Sequence, residues 1–157
     1  MMKLLIVFLS ILFISQVSAQ CDSVAQLNKE IVSWVSTQVN KKVGTGQCWD
    51  LAQQALNRSG AKWDGMYDFG RPLAKSECIM PGDIIQFEKV KAKRMVNGSE
   101  FREEFPHHTA IVFSVNSSDE VKLIHQNTGY NGKKVAVSDF YFSSIKSGKY
   151  TIYRPEK

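Results

Sequence analysis

The residues of this chain best able to do covalent or proton-transfer chemistry near neutral pH are its three cysteines, Cys21, Cys48 and Cys78, and its three histidines, His107, His108 and His125. Cys48 has the most distinctive setting. It follows the turn Gly44-Thr45-Gly46 and opens the stretch Gln47 to Asn57, where Trp49, Leu51, Ala52, Ala55 and Leu56 recur at helical spacing and Gly60 is a stop signal. Thr45 is the expected N-cap. Cys48 then falls in the first helical turn, where unpaired backbone N–H groups and the positive end of the helix dipole favour the thiolate, the nucleophilic form. Taken alone, the same residue reads equally well as a structural cysteine, since free cysteines are often buried.

Alternation along strands sorts the histidines. His108, Ala110, Val112 and Ser114 share one strand face and His107 points the other way; Val121, Leu123, His125 and Asn127 share a face of the next strand. Strands joined by a short turn pair side by side, so His108 is expected near His125 or Asn127, on the sheet face covered by the Cys48 helix. That gives a nucleophile, a base and a group that orients the base. The competing readings are a satisfied core histidine at His125 and a zinc site built from Cys48 and the histidines. Zinc is disfavoured because His107 and His108 diverge and no ligand pair has tight motif spacing. No metal and no cofactor are expected.

The elements that must position these residues follow from pattern. Ser23-Val24-Ala25-Gln26 has the form of a capping box, and Val24, Leu27, Ile31, Trp34 or Val35, and Val39 continue as an amphipathic helix. Residues 60–80 read as a loop whose Trp63, Tyr67 and Phe69 either pin it to the core, the preferred reading, or line a groove. Pro81-Gly82-Asp83 is a turn and Asp83 to Val90 a strand. Residues 89–105 read as a charged, protruding hairpin turning at Asn97-Gly98, a solvated insertion by preference and a flap by position. His108 to Val115, Val121 to Asn127, Lys133 to Val137 and Lys149 to Tyr153 are further strands. Helices first and then strands with short connections imply an α+β fold with an antiparallel sheet.

Composition sets the frame. The 157 residues suffice for one domain with its own core, and a formal charge of +5 is too modest and dispersed to argue for nucleic acid. Lys3, the apolar run Leu4 to Ile14 and Val17-Ser18-Ala19 have the form of a secretory signal peptide over residues 1–19, leaving residues 20–157 as a single mature domain without a membrane span. A secreted or periplasmic monomer is expected. In an oxidising compartment three cysteines leave one unpaired. If Cys48 is reactive, Cys21 and Cys78 are the candidate disulfide pair; both being free is the other reading.

At this point the sequence resembles a known family. Gly46-Gln47-Cys48-Trp49-Asp50-Leu51 is similar to the nucleophile segment of CHAP domains, relatives of the NlpC/P60 group. Pro81-Gly82-Asp83-Ile84-Ile85-Gln86-Phe87 resembles their Pro-Gly-Asp strand, His108-Thr109-Ala110-Ile111-Val112 their histidine strand, and His125-Gln126-Asn127 stands where they carry a Glu-Gln-Asn-like segment. The matches keep the family's order over residues 44–127. The resemblance implies a papain-like α+β fold and cysteine-dependent amide cleavage in peptidoglycan peptides. It implies Cys48 as nucleophile, His108 as base, His125 or Asn127 as the orienting group, and Gln47 and Trp49 at the oxyanion and substrate side. His125 departs from the usual CHAP carboxylate and follows the NlpC/P60 habit. Residues 37–47 carry no acid for a calcium loop. The expectation is therefore a secreted cysteine amidase or endopeptidase of peptidoglycan. Its rivals are a non-catalytic secreted binding module and a cysteine hydrolase of a non-wall peptide substrate.

Overall fold

A computed structural model describes residues 24–157. The segment 1–19 read as a signal peptide, Ser23 of the expected capping box, and Cys21 lie outside the described residues.

Two helices form first. Helix α1, Gln26–Ser36, buries Leu27, Asn28, Ile31 and Val35 along one side. It stops short of the expected Val39: Asn40 turns left-handed at φ 64°, and Val39 instead makes a parallel bridge to Val135. Helix α2, Cys48–Ser59, begins with Gln47 as its N-cap, two residues later than Thr45 had suggested. The reason is Asp50. Its Oδ2 accepts from the backbone N–H of Gln47 (3.0 Å), the backbone N–H of Thr45 (2.7 Å) and the Thr45 hydroxyl (2.7 Å), gathering the whole turn onto one carboxylate. Thr45 thus supports the cap from outside. Gly60 ends the helix at φ 68°, a conformation that glycine adopts at little steric cost.

The sheet has six strands, all antiparallel, in the order β1-β6-β2-β3-β4-β5. They are β1 Arg71–Pro72, β2 Ile84–Val96, β3 Ser99–Val115, β4 Glu120–His125, β5 Ala136–Tyr141 and β6 Ile145–Arg154. The α+β class is as expected. Two strand readings change. The segment 89–105 is no separate insertion: β2 and β3 form one unbroken hairpin about Asn97-Gly98, and its Val90, Ala92 and Phe105 are buried. The strand expected at Lys133 to Val137 is shifted to Ala136–Tyr141, because Val135 is held by Val39 and by hydrogen bonds to residues 40 and 41. The last strand, β6, lies between β1 and β2.

The two faces of the sheet bury different cores. Ile84, Ile111 and Ile124, in register across β2, β3 and β4, pack under α1 and α2 with Leu51, Leu56 and Phe69. Ile85, Phe87, Ala110, Val112, Leu123 and Phe140 project to the other face and form a second core with Phe105. Phe69 is fully buried, so the 60–80 loop is pinned to the core as preferred. The Pro81-Gly82-Asp83 turn is locked from beneath. Asp83 accepts from Asn28 Nδ2 (3.0 Å), from Arg154 Nε (3.1 Å) and Nη2 (2.9 Å), and from the Met80 backbone N–H (2.8 Å). A Cβ at Gly82 would lie 2.7 Å from the Asn28 carbonyl oxygen, so only glycine fits there.

Candidate active site

Cys48 is the first residue of α2, half-buried and free. Trp49 beside it donates its indole N–H to the Met66 carbonyl, which ties the start of the helix to the 60–80 loop. On the other side Gln126, fully buried, clasps the preceding turn. Its side-chain amide nitrogen, Nε2, donates to the Val43 carbonyl (2.9 Å) and the Gln47 carbonyl (2.7 Å), while its Oε1 accepts from the Val43 N–H (3.1 Å). Asn127 Nδ2 donates to Gln47 Oε1 (3.0 Å). The end of β4 and the start of α2 are thereby fastened together.

The imidazoles are paired. His108 Nε2 and His125 Nδ1 are 2.9 Å apart and hydrogen-bonded, on strands β3 and β4. His125 Nε2 in turn meets Ser138 Oγ at 2.9 Å and Tyr130 Oη at 3.0 Å. His108 is nearly buried, His125 wholly so. Burial pushes both below the ordinary imidazole value, each further lowered by a neighbouring imidazole: His107 acts on His108, and His108 on His125. Both rings are neutral at pH 7, which a general base requires.

The expected meeting of His108 with His125 is found; the face on which it was placed is not. Both histidines lie with Ala110, Val112 and Leu123 on the face away from α2, whose apolar side packs on Ile84, Ile111 and Ile124. The parity of the strands decides this, and both faces being apolar concealed it. Cys48 joins the pair around the end of β4, through Gln47 and Asn127, and its thiol makes no hydrogen bond to either imidazole among the described residues. A chain of rings closes the other flank: Trp49 to Trp63 (5.8 Å between centroids), Trp63 to Phe69 (5.9 Å), Phe69 to Tyr67 (6.2 Å), and Tyr67 to His107 (4.5 Å).

His108 opens into a cleft of about 410 Å³ walled by the Phe101–Phe105 part of β3 on one side and by Asn127 to Tyr130 on the other. Ser138 and Tyr130 were not anticipated; the alternation of β5 would have shown Ser138 facing His125 only once its register was known. Cys78 is a disulfide cysteine and Cys48 is not. Among the described residues no group of three or more His, Cys, Asp or Glu is placed to hold a metal ion, and no helix is long and apolar enough to cross a membrane.

Comparison with known proteins gives three findings. The family model described as the AIM3/BBC1 cysteine proteinase-fold domain matches residues 21–157. A protein of Debaryomyces hansenii named "Altered inheritance of mitochondria protein 3" is 29% identical over 144 residues, covering 80% of this chain and 15% of its own length. The chain thus spans only a small part of that relative. The crystal structure of Ly7917 superposes with a TM-score of 0.51 at 17% identity, over 80% of this chain and 62% of the other, a likeness of fold. These findings overturn two expectations. The family and the curated relative are named for AIM3 and for inheritance of mitochondria, organelles of the cell interior, and for neither wall hydrolysis nor export. Secretion and peptidoglycan cleavage are therefore withdrawn; a signal-like apolar N-terminus and four short motifs shared with wall enzymes had suggested both.

Proposed function

We propose, for a chain that belongs to the AIM3/BBC1 family of cysteine proteinase-fold domains, a cysteine-dependent hydrolase centre acting on a peptide substrate unrelated to cell wall. The observation that carries this reading is the buried His108–His125 hydrogen bond of 2.9 Å, linked through the Asn127–Gln47 hydrogen bond to a free cysteine at a helix N-terminus. With His125 Nε2–H donating to Ser138 or Tyr130, its Nδ1 accepts from His108 Nε2–H. His108 Nδ1 then keeps its lone pair and is the atom that takes the thiol proton. Cys48 attacks a carbonyl, the backbone N–H groups at the start of α2 stabilise the oxyanion, and His108 returns the proton to the leaving group. Water then releases the acyl group. The motifs at residues 46–51, 81–87, 108–112 and 125–127 support kinship with CHAP and NlpC/P60 relatives on the same grounds.

A second reading is a non-catalytic interaction domain within a longer protein. It is favoured by the small share of the curated relative that the chain spans and by the lack of a hydrogen bond between Cys48 and His108. Iodoacetamide labelling of the folded protein at pH 6–7, mapped by mass spectrometry, separates the two. The hydrolase reading expects fast labelling at Cys48, slowed by His108→Ala. Labelling of Cys48 no faster than that of a free thiol, and unchanged in His108→Ala, leaves the interaction domain.

A further inference from the structure

The cleft beside His108 has one feature the proposed chemistry does not use. Residues directly opposite in an antiparallel pair share a face. In β3, Phe101, Glu103 and Phe105 face Arg94, Ala92 and Val90 of β2, and Phe105 stacks on the His108 ring at 4.9 Å. Glu103 therefore stands between two aromatic rings on the wall that leads down to His108; Arg102 and Glu104 also border the cleft, but each is engaged in an ion pair, Arg102 with Glu100 and Glu104 with Lys91. The opposite wall carries Tyr130, 55% exposed, and Phe101 is 41% exposed.

The Glu103 carboxylate is partly withdrawn from water and engaged in no ion pair among the described residues. Burial holds its pKa above the ordinary glutamate value against the pull of Arg94. Arg94 does not come to it; its guanidinium lies over the rings of Phe101 (5.1 Å) and Tyr141 (4.9 Å). A half-desolvated carboxylate between aromatic faces is complementary to a long side chain with an apolar stem and a cationic end. The rings take the stem and the cation's π contact, and the carboxylate takes the charge.

We propose that this cleft is a subsite for a lysine or arginine side chain of a peptide, with Glu103 as the residue that sets the preference. The proposal deepens the hydrolase reading, yet its first measurement is independent of Cys48. Amide chemical shifts of the wild-type protein are followed during titration with acetyl-Ala-Lys-Ala-amide and with acetyl-Ala-Glu-Ala-amide. The lysine peptide is expected to shift Phe101, Glu103 and Tyr130 and to bind about tenfold more tightly, as one charge-assisted contact would give. Added salt should weaken that preference, and Glu103→Gln should abolish it while leaving shifts outside the cleft unchanged. Equal binding of the two peptides, no shifts in the cleft, or a preference that survives Glu103→Gln overturns the subsite. The second measurement compares Cys48 alkylation by peptidyl chloromethyl ketones ending in lysine or glutamate. Faster alkylation by the lysine reagent supports the subsite together with the hydrolase reading. Preferential binding without alkylation by either reagent supports the subsite and removes the hydrolase reading alone.

Discussion

Two buried polar clusters of this molecule invite comparison. In the turn before β2 Asp83, fully buried, is gripped by Arg154, Asn28 and the Met80 N–H. On β3 and β4, His108 and His125 share one hydrogen bond, backed by Ser138 and Tyr130. The first is a multiply bonded charged pair joining three distant stretches: α1, the turn before β2, and the end of β6. Asp83 and Arg154 line neither large cleft, and their charges are locked to each other. The second is neutral, has hydrogen-bonding atoms that can exchange donor and acceptor roles, and opens on a cleft. Burial serves the first by sealing an ion pair and the second by keeping bases unprotonated. A buried polar network is thus no sign of function by itself; what distinguishes the two is whether a proton has somewhere to go.

The comparison breaks first, and most, at the charged cluster. Arg154→Met leaves Asp83 buried without its counter-charge and is expected to cost about 3–5 kcal/mol in urea unfolding. A loss under 1 kcal/mol would show that Asn28 and the Met80 N–H hold the carboxylate unaided. At the neutral pair, His125→Ala removes the acceptor from His108 and should cost about 1–3 kcal/mol. The same change should slow Cys48 labelling at pH 7 by tenfold or more, whereas labelling of folded Arg154→Met stays near wild type. Asn127→Ala sharpens the choice of orienting residue: if it slows labelling and His125→Ala does not, Asn127 has that role.

The pH response follows from the histidines. Their folded pKa values lie below the ordinary 6.5, about 4 for His108, so the unfolded chain takes up protons first as pH falls. The histidines' contribution to stability is therefore complete above pH 6.5 and declines from about 6.5 down to about 3, the folded value of His125. Chemical denaturation across that range, with His108→Gln as comparison, should show the variant to be less pH-sensitive. The smallest effect belongs to Cys48→Ala, which leaves a half-buried thiol without a hydrogen bond: stability within ~1 kcal/mol of wild type, with thiol labelling of the native protein lost.

Much of this arrangement was legible in the residues. The helix at Cys48 was marked by its period and by Gly60, the hairpin by Asn97-Gly98, and the pairing of His108 with His125 by alternation over a short turn. All three are local signals or nearest-neighbour consequences of them. What escaped was long-range or two-sided. Val112 and Ile111 are both buried, so no polarity contrast told which face of β3 the helices cover. The register of β5, and with it Ser138, depends on Val39 holding Val135. The place of Thr45 behind Asp50 was hidden because a threonine before a helix has the same letters whether it caps or supports the cap.

The strand order has a consequence for how the protein is made. Strand β6 is last in sequence yet sits inside the sheet, paired to β2 on one edge and β1 on the other. While the chain is being synthesised, β2 to β5 can pair as soon as they emerge, but β2 then has one open edge that only β6 fills. Arg154, at the end of β6, also brings the counter-charge that Asp83 has been waiting for across 71 positions. The nascent domain therefore cannot close before residue 154 has cleared the ribosome tunnel. Until then it exposes a long strand edge and a buried-to-be carboxylate, a window in which chaperones or a sibling chain can capture it.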